Sequence, residues 1–264
     1  MTGNRLRKSQ FKSEKIIWGD DPEFAGPQNY FRQSLVLNNL RRYCHGGYIL
    51  DAGCGGGLMS LRLAQGGYRV EGVDVSDSGV RYAKNKIAAL KMNGSITIRK
   101  ASVTELPYPD LMFDAVVCGE VLEHVKNDIQ AIRQIFRVPK PGGTAIFTVP
   151  AKPELFSELD TIAGHYRRYL QSELVGKVTG AGMKVITSFY WGFPATNIWQ
   201  KYFLPSCIRH MLKSGHRITV SESLIARVVK HSGVQQILSK VFLPDIWLKN
   251  TGWGNSLFLV ARKT

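Results

Sequence analysis

Two short stretches of this chain carry side chains suited to acid–base or metal chemistry. Residues 120–124 read Glu-Val-Leu-Glu-His. If a helix begins here, Glu120, Glu123 and His124 share one face, because side chains three and four apart on a helix are neighbours. Two carboxylates and an imidazole so arranged could hold a divalent ion or a proton. The second stretch, residues 164–169, reads Gly-His-Tyr-Arg-Arg-Tyr and adds another imidazole beside two guanidinium groups.

A glycine-rich turn precedes both stretches. Residues 48–57 read Tyr-Ile-Leu-Asp-Ala-Gly-Cys-Gly-Gly-Gly, an apolar run that ends in an acid and is followed by Gly53, Gly55 and Gly57. Glycines let the backbone turn sharply and let a cofactor approach where a Cβ atom would collide. The dinucleotide fingerprint needs a glycine where this chain has Leu58. The turn therefore departs from the dinucleotide fingerprint and reads D-x-G-x-G-x-G from Asp51.

A second acid strengthens this interpretation. The segment Arg69–Asp74 is predicted to be the next strand, and Asp74 ends it. An acid at this strand end can accept hydrogen bonds from both ribose hydroxyls of a bound nucleoside. The glycine turn together with Asp74 is far more specific than either feature alone.

The elements that must position these residues alternate between strand and helix. After the strand at the glycine turn, strands are predicted at residues 69–74, 95–100, 113–118, 144–149, 184–190 and 256–261. Helices are predicted at 27–43, after the glycine turn, from 76 or 77 to about 91, at 127–137 and from 172 to about 180. This alternation predicts an α/β fold with a doubly wound, Rossmann-like parallel sheet.

The motifs over residues 46–150 resemble those of the class I S-adenosylmethionine-dependent methyltransferases. The likeness covers the glycine turn, Asp74, the Glu-Val-Leu-Glu-His-Val segment and the Lys-Pro-Gly-Gly turn at 140–143. It implies a seven-stranded sheet whose sixth and seventh strands are antiparallel and joined by a modest loop, and this chain departs from it by a helical insertion at residues 191–253 before the last strand. It also implies S-adenosyl-L-methionine as the cofactor, with its amino-acid end over the glycine turn.

The resemblance assigns cofactor roles residue by residue. Arg32 is expected to pair with the cofactor carboxylate, which suits a planar guanidinium. Ser102 stands where many relatives have an aspartate facing the adenine. The implied cofactor-binding set is Arg32, Asp51, Gly53, Gly55, Asp74, Val75, Ser102, Val103, Gly119 and Glu120.

Two branches of the superfamily share further motifs with this chain, and the closer one is the O-methyltransferases of ubiquinone biosynthesis. In the other branch, the small-RNA 2′-O-methyltransferases, a Glu-x-x-Glu-His set and a distant histidine bind magnesium. Carried over, this makes Glu120, Glu123, His124 and His165 candidate ligands of a divalent metal such as Mg²⁺. A metal-free role, with His124 and His165 as catalytic or substrate-lining groups, and a purely structural role remain alternatives.

Composition limits the partners and the setting. The net charge of +15 predicts an anionic partner, which could be nucleic acid, an anionic membrane surface or a phosphorylated substrate. The four cysteines have no paired spacing, so neither a disulfide framework nor a zinc site is indicated. The chain has no apolar N-terminal run and no uninterrupted apolar stretch of about 18 residues. We therefore expect a cytoplasmic protein, peripheral on the inner face of a membrane if it meets lipid.

The expected organisation is a basic arm at residues 1–26 and a methyltransferase domain at 27–264, with an insertion at 191–253. Between 191 and 253, basic residues accompany apolar runs at 198–205, 224–230 and 237–243. Such segments suit the interface of an anionic bilayer, whereas a lid over the substrate or a dimer surface is the alternative. Nucleic acid is the less favoured partner, because no recognition module is present.

The sequence thus predicts an S-adenosylmethionine-dependent methyltransferase. The preferred reaction is O-methylation of a hydrophobic or lipid-linked small molecule at a membrane face. An RNA 2′-O-methyltransferase and a non-catalytic, cofactor-binding partner subunit are the alternatives. The acceptor, the atom methylated and the oligomeric state are left open.

Overall fold

The computed structural model describes residues 27–44, 47–198, 232–249 and 251–264. The predicted basic arm at 1–26 lies outside the described residues. So do two of the three apolar runs of the predicted insertion, apart from Ile198. Every helix in the described part of the chain is too short or too polar to cross a bilayer.

Strands and helices alternate along the described chain. The strands are β1 (Tyr48–Ala52), β2 (Arg69–Asp74), β3 (Ile96–Lys100), β4 (Phe113–Gly119), β5 (Pro139–Pro150), β6 (Met183–Trp191) and β7 (Ser256–Lys263). The described helices are α1 (Pro27–Tyr43), α2 (Leu58–Gln65), α3 (Asp77–Ala89), α4 (Asp128–Arg137), α5 (Glu158–Ala163), α6 (Gln171–Gly180), α7 (Ala195–Ile198), α8 (Ser232–Ser239) and α9 (Pro244–Trp247).

Side-chain caps explain where two of these helices begin. The Gly79 amide donates to the Ser76 hydroxyl at the start of α3, and the Gln130 amide donates to Asn127 at the start of α4. Each cap satisfies an amide that has no partner within its own helix. Both helices therefore begin close to the predicted positions.

The seven strands form one sheet in the order β3-β2-β1-β4-β5-β7-β6. All neighbouring pairs are parallel except those made by β7, which runs antiparallel to β5 and β6. The chain winds outward from β1 to β3 and then returns to place β4 on the other side of β1. This reversal puts a crevice at the carboxyl ends of β1 and β4, where such sheets bind ligands. The predicted doubly wound fold is confirmed.

The central strands are buried on both faces of the sheet. Ile49 faces the side covered by α1, α2 and α3, whereas its neighbour Leu50 faces the side covered by α4 and α6. Such double burial is why these strands are nearly continuous apolar runs. The core thus fixes the strand ends that carry the site.

Two details of the prediction differ from the structure. Strand β5 begins at Pro139 rather than at residue 144, and its pairing with β4 shifts register between Phe113 and Ala115. The Pro-Gly run predicted a turn, but the register shift lets this run continue the strand. In α1, the amphipathic pattern indicates Phe31, Leu35, Leu37 and Leu40 as buried positions, but Leu35 is only partly buried and Val36 is buried.

Candidate active site

The glycine turn joins β1 to α2 at the crevice. Gly53, Gly55 and Gly57 all have positive φ angles, of +84°, +50° and +78°. A Cβ atom on Gly53 would collide with the side chain of Val121, which follows β4. The amides of Gly53 and Cys54 donate to the Val73 carbonyl oxygen at 2.8 and 2.9 Å, which ties the turn to β2. The turn therefore needs glycine for its conformation and, at Gly53, for space.

Asp74 is held against this turn. Its Oδ2 atom accepts a hydrogen bond from the Gly55 amide at 2.8 Å, and its Oδ1 atom accepts one from the Ser76 amide at 2.9 Å. The predicted partners, the glycine turn and the acid that ends β2, thus lie in direct contact. The carboxylate keeps further acceptor positions, because an ionised carboxylate has about four.

Asp51 lies near the end of β1, behind the glycine turn. It is buried, and the Ser60 hydroxyl donates to its Oδ2 atom at 2.6 Å. Burial raises the pKa of Asp51 to about 6, although the Ser60 hydrogen bond opposes this. Asp51 therefore joins the end of β1 to the first turn of α2 behind the glycines. Ser60 was not anticipated from the sequence.

Arg32 of α1 lies at the carboxyl ends of β4 and β5. Its Nη1 atom donates to Thr148 Oγ1 at 3.1 Å and lies 3.9 Å from a carboxylate oxygen of Glu120. A Cβ atom on Gly119 would come within 2.8 Å of Arg32 Nη1. Gly119 thus leaves the space that Arg32 occupies. Thr148, which sequence reasoning missed, fixes the guanidinium there.

The segment predicted to face the adenine follows β3. Val103 is buried, whereas Val75 after β2 is 65% exposed. The Ser102 hydroxyl lies 2.7 Å from Thr104 Oγ1 and accepts from the Thr104 amide at 3.2 Å. Ser102 therefore has a local partner within its own turn.

No helix begins at Glu120, so the condition for one shared face at residues 120–124 is not met. Glu120 has a φ angle of +58°, and only Leu122–His124 form a single turn of 3-10 helix. Glu120 therefore does not share a helix face with Glu123 and His124. A positive φ at a residue other than glycine costs energy and is concentrated at functional sites.

Glu123 is the most unusual side chain of this segment. It is fully buried, and within the described residues neither carboxylate oxygen has a hydrogen-bond partner. Burial raises the pKa of Glu123 well above its usual range, and the Glu120 charge raises it further. A buried polar group without a partner is costly, so this position is a candidate for ligand contact.

The side chains of Glu123, His124 and His165 lie close together in one cluster. Their ligand atoms all lie within 4.8 Å of one another, and the two imidazole rings are 4.7 Å apart in an edge-to-face arrangement. Burial lowers the pKa of His124, and the neighbouring His165 lowers it further. The structure thus brings together three of the four predicted metal ligands. Glu120 is not in this cluster.

His165 is held by a residue that the sequence did not indicate. Its Nδ1 atom lies 2.8 Å from Oδ1 of Asp160, which is buried at the third position of α5. Burial would raise the pKa of Asp160, but hydrogen bonds from His165, Arg168 and Ser157 lower it below its usual range. The available signal was Ser157, which forms a capping box with Asp160 at the start of α5.

The two arginines after His165 point to different buried carboxylates. Arg168 makes two hydrogen bonds to Asp160. Arg167 instead lies 2.9 Å from Asp128 of α4. The hydroxyl of Tyr169 also donates to Asp128. The segment between β5 and α6 is therefore braced internally by the Asp160–Arg168 pair and fastened to α4 through Asp128.

Comparisons with known proteins agree with this geometry. Residues 50–147 match a family described as "Methyltransferase domain". A ubiquinone biosynthesis O-methyltransferase of Alkalilimnicola ehrlichii is 41% identical over 149 residues, which are 53% of this chain and 57% of that protein. The protein of the same name from Hahella chejuensis is 31% identical over 199 residues, covering 75% of this chain and 74% of that protein.

The matches cover different shares of the relatives, and solved structures allow the fold to be compared. For most of the curated relatives, including the Alkalilimnicola protein, this chain spans less than two thirds of the relative's length. Among solved structures, the [4+2]-cyclase SpnF superposes with a TM-score of 0.63 at 23% identity, over 89% of this chain and 81% of that one. That protein is named as a cyclase, so a shared fold does not by itself decide the reaction.

Proposed function

Because this chain belongs to the class I S-adenosylmethionine-dependent methyltransferases, on the branch of the ubiquinone-biosynthesis O-methyltransferases, we propose that it methylates a hydroxyl group of a hydrophobic or lipid-linked small molecule. The observation that carries this proposal is the contact between Asp74 and the Gly55 amide, with the histidine pair following the neighbouring strand ends. It joins a nucleoside-binding acid to a glycine turn beside groups that can accept a proton.

In methyl transfer the protein mainly has to position the acceptor against the cofactor. The sulfonium already activates the methyl group, so the protein must align an acceptor oxygen for in-line displacement and take up its proton. His124 and His165 lie close enough together to border one acceptor. Because burial and the neighbouring His165 lower the pKa of His124, its imidazole is neutral at physiological pH and can take up that proton when no cation is bound.

A divalent cation fits the same cluster. Glu123, His124 and His165 would hold it. The Glu123 carboxylate oxygens, which have no hydrogen-bond partner within the described residues, would then coordinate the cation. Such an ion supplies an orienting contact to the acceptor hydroxyl and lowers the pKa of that hydroxyl. Two imidazoles with one carboxylate suit Mn²⁺ or another transition ion better than Mg²⁺.

Metal binding has a direct test that needs no turnover. Titration of Mn²⁺ followed by electron paramagnetic resonance should show one tight site that Glu123→Gln removes. Glu105→Gln, at a carboxylate outside the cluster, is the matched control. Equal Mn²⁺ binding by Glu123→Gln and the wild-type protein would exclude this cluster as the metal site.

A membrane face is proposed from the described part of the insertion. Ile237, Val241, Trp247 and Trp253 are each at least 60% exposed, and Lys240 lies among them in sequence. Exposed tryptophan and aliphatic side chains beside lysine suit the interface of an anionic bilayer. This arrangement would deliver an apolar acceptor to the crevice.

Sedimentation with lipid vesicles tests the membrane proposal. The wild-type protein should bind vesicles rich in phosphatidylglycerol and bind phosphatidylcholine vesicles weakly. Replacing Trp247 and Trp253 together by serine should reduce this binding, whereas Ile129→Ser, at an exposed apolar position on α4, should not. Unchanged vesicle binding after both tryptophans are replaced would contradict the proposed membrane face.

The reaction itself is tested with radiolabelled S-adenosylmethionine and a fractionated lysate. The proposal expects label in the organic-solvent extract. Label in RNA, lost steeply as salt rises, would instead support an RNA 2′-O-methyltransferase. Cofactor binding without label in any fraction would support a non-catalytic partner subunit.

A further inference from the structure

Asp160 contacts His165 twice. The carboxylate lies 2.8 Å from the ring nitrogen Nδ1, and the Asp160 carbonyl oxygen accepts from the His165 amide at 2.9 Å. The Asp160 side chain is 1% exposed and that of His165 is 16% exposed. The contact is therefore shielded from water, and both the backbone and the side chain of His165 are fixed relative to α5.

The Asp160 carboxylate has no spare capacity. Its Oδ1 atom is bonded to His165 and to Arg168 Nε, and its Oδ2 atom accepts from Arg168 Nη2 and from the Ser157 amide and hydroxyl. A carboxylate offers about four lone-pair positions, so these five contacts saturate it. Since Arg168 and the amide can only donate, the group is held as an ionised acceptor.

An ionised acceptor dictates where the hydrogen of the imidazole sits. A neutral histidine carries one N–H, and the nitrogen that faces a carboxylate keeps it. We propose that Asp160 is a positioning residue that holds His165 with its hydrogen on Nδ1, which leaves the lone pair on Nε2 for the site shared with His124 and Glu123. Arg168 and Ser157 serve this role by fixing Asp160.

The consequence for the reaction rests on the proposed function. A base that takes a proton from the acceptor, and a nitrogen that ligates a cation, both need this lone pair. In the opposite tautomer Nε2 would carry a hydrogen and could only donate. An Asp160 that merely braced the segment between β5 and α6 through Arg168 would not control the tautomer.

Asp160→Asn separates these roles while keeping the shape of the side chain. The amide oxygen is expected on the side where Ser157 and Arg168 place three donors, because an amide nitrogen cannot accept them. The NH₂ group then takes the place of Oδ1, where Arg168 Nε loses its acceptor and Nδ1 of His165 must accept. The hydrogen of the imidazole moves to Nε2 as a result.

Nitrogen-15 nuclear magnetic resonance of histidine-labelled protein reads the tautomer directly, without any turnover. His165→Gln assigns the resonance, and Glu158→Gln, at an exposed carboxylate on the same helix, is the control. We expect an Nδ1–H tautomer for His165 in the wild-type protein and the control, and an Nε2–H tautomer in Asp160→Asn. An Nε2–H tautomer in the wild-type protein, or one that Asp160→Asn leaves unchanged, would overturn the proposal.

Kinetics then test the consequence. Asp160→Asn should lower kcat by about 10–100-fold, the range for residues that orient a functional histidine, and leave the KM for S-adenosylmethionine within about two-fold. Equal loss in Glu158→Gln, or an unchanged kcat despite a changed tautomer, would refute positioning. If no acceptor is turned over by any variant, the proposed function fails while the tautomer measurement still decides the role of Asp160.

Discussion

The Oδ2 atom of Asp74 lies 2.8 Å from the amide nitrogen of Gly55, which belongs to the turn that follows β1. The contact joins the ends of two neighbouring parallel strands, β1 and β2. One carboxylate can therefore hold the glycine turn and still present acceptor positions to a nucleoside. This relationship makes Asp74 the first position at which the account can be tested.

Asp74→Ala should weaken binding of S-adenosylhomocysteine by roughly 10–100-fold, because hydrogen bonds to a charged group contribute about 1.5–3 kcal/mol. Isothermal titration calorimetry measures the affinity. Asp77→Ala is the control, since that carboxylate is exposed and paired with Lys100. An Asp74→Ala protein that is folded and binds as tightly as the control would remove Asp74 from the cofactor site.

Gly53→Ala should be more damaging than Gly67→Ala. Both glycines have similar positive φ angles, +84° and +90°, so each alanine carries a backbone cost of roughly 1–2 kcal/mol. Only at Gly53 does the new Cβ atom collide with a neighbour, Val121, whereas nothing lies within 4 Å at Gly67. Urea unfolding and cofactor titration should both show the larger loss for Gly53→Ala. Equal losses would mean that Val121 yields and the close approach is unimportant.

The raised pKa of Asp51 predicts that the stability of the fold depends on pH. Its pKa rises from 3.8 in the unfolded chain to about 6 in the fold, so the folded state binds the proton more tightly. The favourable contribution of the protonated acid is present below pH 3.8 and is lost as pH rises through 6. Between pH 5 and pH 8 the wild-type protein should therefore lose about 1 kcal/mol more stability than Asp51→Asn. Parallel stability curves from urea unfolding would contradict the raised pKa.

Tyr169 links the segment between β5 and α6 to the turn that carries Glu123 and His124. Its hydroxyl lies 2.8 Å from Asp128 Oδ2 and 3.1 Å from the Leu122 carbonyl oxygen, and its single hydrogen is shared between these two acceptors. Tyr169→Phe should cost about 2 kcal/mol of unfolding free energy, because two buried acceptors lose a donor. Tyr166→Phe, at a half-exposed ring, should change stability by less than about 0.5 kcal/mol. Thermal and urea unfolding give both values, and a Tyr169→Phe protein as stable as the wild type would refute this link.

Sequence patterns were most informative where a residue type is demanded by backbone geometry or by burial. The glycines at 53, 55 and 57 signalled the turn because positive φ angles exclude most other residues. The apolar run at Phe113–Gly119 signalled a central strand because both its faces are buried. Such local demands leave a trace in the residues themselves, so the sheet and the strand ends could be predicted.

Residues defined by partners far away in sequence could not be predicted. Thr148 bonds an arginine 116 positions earlier, and Asp128 bonds Lys177 49 positions later. The spacing of Glu120, Glu123 and His124 suggested a helix, but the positive φ at Glu120 broke it. A periodic pattern of residue types does not reveal one residue with an unusual backbone conformation. Tertiary contacts therefore determine this part of the site.

The central claim is transfer of a methyl group from S-adenosylmethionine to a hydroxyl oxygen of an apolar acceptor, with Asp74 and the glycine turn holding the cofactor. Tandem mass spectrometry can follow a trideuteromethyl group from the cofactor into a polyprenylated dihydroxybenzene. The account predicts a product with the label on oxygen, formed by the wild-type protein and Asp77→Ala and strongly reduced in Asp74→Ala. Label on carbon or nitrogen, or cofactor-bound protein that forms no product, would contradict it.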